Sequence, residues 1–150
     1  MSFALLMAAS LTVLRETQLF SVAVERRPAS LPLLALKARA RGTLDIETAR
    51  EVLRVSSEFL ETSEDFNSFW DIRAASVPPA EVVWACVSWA VKNTSALRKQ
   101  NKRMAVLVPD SQPLRRIVQL VLKVAAVRCP ALVTASEAEA LEFVGAGGAR

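Results

Sequence analysis

The chain contains no histidine and no tyrosine among its 150 residues. The first absence removes imidazole acid–base chemistry, Ser-His and Cys-His nucleophile pairs and imidazole metal ligation; the second removes phenol catalysis. The only cysteines, Cys86 and Cys129, have neither CxxC spacing nor histidine partners, so no metal or redox motif is formed. Both sit in apolar stretches and read as small buried hydrophobes, with an oxidation-prone surface thiol as the alternative. Aromatic residues are also sparse, and none falls between Phe20 and Phe59, where Lys37, Arg39 and Arg41 share one face of an expected strand. Nucleic-acid binding wants aromatics interleaved with such charge for base stacking, so this face reads as solvated and no nucleic-acid partner is expected. There is no glycine-rich phosphate loop. No apolar run approaches the about 20 residues that a membrane span needs.

What remains is an ordinary globular composition, 52% apolar and 23% charged, in a length suited to one domain. The net charge of +4 is spread along the chain and says little about partners. Met1 to Leu14 carries no charged side chain, and Arg15 is the first basic residue. A secretory signal places positive charge before its apolar run, so despite the Ala8-Ala9-Ser10 imitation of a cleavage site the expected location is cytoplasmic. Residues 1–18 read as an apolar extension, an extra strand or helix that packs on the domain or on a second copy of the chain.

Phe20, Val22 and Val24 alternate with polar or small residues, a proline-marked turn follows, and Leu34, Leu36, Ala38 and Ala40 then share one strand face. This predicts an opening hairpin. From Thr43, the expected N-cap, the period changes to a helix that buries Ile46, Ala49, Val52, Leu53, Ser56, Phe59 and Leu60. Residues 68–72 predict a strand covered on both faces. A helix is expected over 80–100, a strand over 104–108, and a helix with Pro113 near its start and Ser111 as its cap. A strand over 131–134 follows, then a helix capped by Ser136 and stopped at Gly145. The repeated α-β alternation requires a largely parallel sheet with helices packed against it.

Three stretches carry a resemblance to a known family. They are the strand-Gly-helix unit Leu33 to Leu60, the strand end Phe69-Trp70-Asp71-Ile72-Arg73, and Arg103-Met104-Ala105-Val106-Leu107-Val108-Pro109-Asp110 with the helix after it. Together with Val133 to Val144 they resemble the STAS domain of anti-sigma-factor antagonists, in its SpoIIAA-like branch. The expected fold is therefore α/β, a mixed and mostly parallel sheet of about five strands with about four helices. The STAS-like domain spans 19–146, with 147–150 as a tail. The resemblance implies a bacterial regulatory or scaffolding domain, non-enzymatic and without cofactor or metal, acting in signalling by contact with a protein partner and in some relatives dimeric. It also implies a phosphorylatable serine after the third strand, where Ser76 is the candidate hydroxyl. The Asp-Ser-Ser-Gly-like pattern is missing there, and Pro78 and Pro79 reshape the backbone that a kinase would read. Plain N-capping is the alternative role for Ser76.

In open α/β sheets, ligands and partners meet the loops beyond the carboxyl ends of the strands. Those loops hold Asp71, Arg73 and Ser76 on one side and Asp110 and Ser111 on the other, a rim that could hold an anion or dock an acidic patch. The ordinary alternative pairs Asp71 with Arg73 and makes Asp110 and Ser111 helix caps. Trp84 and Trp89 lie on one helix but cannot share a face fully, so one is expected to be exposed and available to a partner. The alternative function is a small-ligand carrier of lipid or anion, favoured if helix-face residues line a pocket.

Overall fold

The computed structural model describes residues 10–39, 44–110, 112–124 and 128–148. Six strands form one sheet in sequential order: β1 (Ser10–Glu16), β2 (Phe20–Arg26), β3 (Leu33–Ala38), β4 (Phe66–Asp71), β5 (Asn101–Leu107) and β6 (Ala131–Thr134). β1, β2 and β3 pair antiparallel, and β3 to β6 pair parallel. The expected hairpin and parallel half are both present, and the extension supplies β1 as a sixth strand at the sheet edge. All seven β1 residues are exposed, with Arg15 reaching Glu51 at 3.4 Å. Ala40, Arg41, Thr43 and Ser111, to which the sequence pattern gave roles, lie outside the described residues.

The helices are α1 (Ile46–Leu60), α2 (Ala80–Lys92), α3 (Thr94–Gln100), α4 (Gln112–Val124) and α5 (Glu137–Gly148). α1 buries Ala49, Val52, Leu53, Val55, Ser56, Phe59 and Leu60, the expected face with Val55 added and Ile46 half-buried. Its cap is Asp45 rather than Thr43: the carboxylate accepts the Thr48 amide at 2.6 Å, and this bond holds the carboxyl below its usual range. The helix expected over 80–100 is two helices, broken at Asn93, where φ is −102° and ψ 18°. The last helix is capped by Ser136, whose hydroxyl accepts the Glu139 amide at 3.2 Å, but it runs through Gly145 to Gly148. Gly145 has no positive φ, so it does not act as a left-handed stop.

Helices divide unequally between the two faces. Phe20, Val22, Val24, Leu34, Leu36 and Ala38 pack against Val52, Val55 and Phe59 of α1, and Met104, Val106 and Val108 face Val118 and Leu122 of α4. α5 covers the opposite face through Ala140 and Val144 on Phe69, Ala105 and Leu107. Two polar contacts to its backbone carbonyls help hold α5 there. Asn67 Nδ2 donates to the Val144 carbonyl at 2.9 Å, and Arg103 donates to the Phe143 carbonyl at 3.2 Å with its guanidinium 5.0 Å from the Phe143 ring centre.

Candidate functional site

β4 and β5 are neighbours, with Asp71 opposite Leu107, so the expected rim lies along adjacent strand ends. Among its described members, Asp71 and Ser76 face opposite sides of the sheet. Asp71 continues the Phe69 face of β4 toward α5 and is buried at 6% exposure. Arg73 Nε and Nη2 donate to its two oxygens at 3.0 and 2.8 Å, and Nη2 also donates to Glu137 at the start of α5, at 2.7 Å. Burial pushes the Asp71 carboxyl up, but the bonds from Arg73, its backbone amide included, and the charges of Arg73 and Lys37 outweigh it and leave the group below the usual range. The Arg73 guanidinium is raised correspondingly. These charges satisfy one another, which matches the structural alternative for Asp71.

Ser76 lies on the other side of the sheet. It is exposed and lines a cavity under the helices, and it does not cap α2, whose cap position is Pro79 with no side-chain hydrogen bond. The capping role is therefore corrected: the prolines start the helix later than the serine. Asp110 is exposed beyond β5. Lys37 and Arg39 are both exposed, as expected of a solvated strand face, and Arg39 also donates to the Thr17 carbonyl at 2.9 Å and pairs with Glu16 at 3.2 Å, fastening the β1–β2 turn.

A cavity of about 220 Å³ lies between the sheet and α1 to α4. Its floor includes Leu36, Trp70 and Val106, and its roof includes Val83, Cys86, Ile117 and Val121. It exists because α2 fully buries only Val82 and Val87 and α4 only Leu114. The remaining apolar residues of both inner faces stay half-buried around the space. The sequence periodicity marked these inner faces but not their stand-off from the sheet, because helix-to-sheet distance depends on side chains from several elements at once. Of the tryptophans, Trp89 is half-buried and donates Nε1 to Ser57 Oγ at 2.7 Å, while Trp84 is 63% exposed. The expected split between them is observed.

Both thiols line the cavity, and burial pushes each above its ordinary value. Among the described residues, no group of carboxylates and thiols is placed to hold a metal ion, and no helix is long and apolar enough to cross a membrane.

The strand order and, among the described residues, the single helix on the second face define a mixed α/β domain. Its fold is SpoIIAA-like: the crystal structure of an uncharacterised DUF3478-family protein from Shewanella loihica PV-4 with that fold superposes with a TM-score of 0.65. The match covers 87% of this chain and 97% of that one at 15% identity. A chain described as enoyl-CoA hydrates from Geobacillus kaustophilus HTA426 gives a TM-score of 0.43 at 12% identity over 90% of this chain and 74% of that one, too low to bear on the fold. No family model and no curated protein matches the sequence.

Proposed function

We propose that this chain acts by binding and not by catalysis, as a SpoIIAA-like domain that takes an apolar ligand between its sheet and helices. The cavity carries this reading. Its lining is almost wholly apolar and it opens to solvent, so an apolar occupant would release the water that otherwise meets these side chains.

The neutral fluorophore N-phenyl-1-naphthylamine tests the reading. Saturable one-to-one enhancement is expected for the full chain, and loss of it in Ala90→Phe and Val121→Trp, which fill the cavity, with the circular dichroism spectrum retained. Absence of saturable binding to the unsubstituted chain removes the reading.

A second reading, regulation by protein contact as in anti-sigma-factor antagonists, is favoured by Trp84 and Val91, exposed one above the other on the outer face of α2. In this reading a protein partner meets that stripe, and the exposed Ser76 hydroxyl is accessible to a kinase. Recovery of the same proteins from host extract by the unsubstituted chain and by Trp84→Glu would remove the stripe from consideration.

Self-association belongs to either reading. Among the described residues, β1 has an unpaired edge to offer a second copy, together with the exposed side chains of Leu11 and Val13.

A further inference from the structure

Among the described residues, Arg98 and Arg128 are the cationic residues that border the cavity, and both are exposed. Arg98 lies just ahead of β5 and Arg128 just ahead of β6, and these strands are parallel neighbours with Met104 opposite Ala131. Among the described residues, neither guanidinium takes part in an ion pair. Near the start of β5, Ser68 Oγ donates to Asn101 Oδ1 at 3.1 Å, both residues being buried on β4 and β5. Away from it the lining turns to Trp70, Val82, Val106 and Leu122. A cation at the carboxyl end of a helix is favoured by the helix dipole, which would account for Arg98 alone. It does not account for Arg128, which precedes a strand.

We propose that the ligand is a single-chain amphipathic anion, its carboxylate or phosphate head held by Arg98 and Arg128 and its tail running beneath α2 and α4. The assignment rests on the apolar-ligand reading above and adds the head group to it. Guanidinium presents a planar fork of donors that matches either anion, and beside an apolar wall the attraction is screened less than in open water.

The test displaces bound N-phenyl-1-naphthylamine with dodecanoate, dodecyl phosphate and dodecanol, each below its aggregation concentration. The chain is used unsubstituted and as the double variant Arg98→Gln, Arg128→Gln, whose exposed sites leave folding intact by circular dichroism. At least one anion should bind about tenfold or more tighter than dodecanol to the unsubstituted chain, and the double variant should lose about that factor for the anion while keeping its dodecanol affinity. Which anion is preferred separates a carboxylate from a phosphate source. Equal binding of anions and alcohol, or an anion preference that survives in the double variant, overturns the head-group assignment and leaves the cavity reading standing. Failure of the fluorophore itself to bind overturns both.

Discussion

Arg73 grips Asp71 with two side-chain bonds, Nε to Oδ1 at 3.0 Å and Nη2 to Oδ2 at 2.8 Å. The acid ends β4, and the same guanidinium reaches Glu137 on α5, so one side chain fastens a strand end to the helix that covers that face. Asp71 is buried and Glu137 exposed. Charge-assisted bonds to a buried carboxylate are worth about 1.5–3 kcal/mol, whereas an exposed ion pair contributes about 0–1 kcal/mol. Asp71→Asn should therefore lower the urea-unfolding free energy by about 1–3 kcal/mol, and Glu137→Gln by less than about 1 kcal/mol. Equal losses from the two would show that burial does not set the strength of this clasp.

The same carboxyl titrates below its usual range in the folded chain. Its contribution is then fully present above the unfolded value of about 3.9 and is lost as pH falls through the lower folded value. The stability difference between the unsubstituted chain and Asp71→Asn should be constant from neutral pH to about 5 and shrink in stronger acid. A difference that grows on acidification would contradict the direction of the shift.

Burial holds the Cys86 and Cys129 thiols protonated at neutral pH, and both border the cavity. Since the thiolate is the nucleophile, iodoacetamide should alkylate the folded chain well below the rate of free cysteine, and urea should restore the rate. Saturating N-phenyl-1-naphthylamine should slow alkylation further. Alkylation unaffected by the fluorophore would place its binding elsewhere.

The three tryptophans occupy different surroundings, Trp84 outside and Trp70 and Trp89 at the cavity wall. Acrylamide should quench the Trp84→Phe variant much less than the unsubstituted chain, and a cavity ligand should shift the emission that this variant retains. Unchanged quenching in Trp84→Phe would contradict the exposure of that ring.

β1 is a seven-residue edge strand with Leu11 and Val13 exposed and only Arg15 and Glu16 charged. Long, weakly charged edges pair with other strands. Light scattering after size-exclusion chromatography should give a dimer for the full chain, and a monomer both for the double variant Leu11→Lys, Val13→Lys and for a form lacking residues 1–17. A monomeric full chain would discard the edge as an assembly surface.

Alternation in Phe20 to Val24 and Leu34 to Ala38, the three-four spacing from Ile46 to Leu60 and the α-β succession after it were enough to determine the parallel half-sheet and its hairpin. Such patterns are local, since the side of an element that meets water is written in its own period. The break at Asn93 and the passage of α5 through Gly145 were not legible, because each depends on what the helix packs against. The rim was legible as a set of residues but not as a geometry: strand pleating sent Asp71 toward α5, while Ser76 came to border the cavity on the other side. Arg98 and Arg128 lie far apart in the chain and have no shared motif, and the parallel pairing of β5 with β6 set them at the border of a common cavity. The sequence by itself determined which faces are apolar; only the tertiary structure decided that α2 and α4 stand away from the sheet, because that distance is fixed by the summed bulk of side chains from several elements.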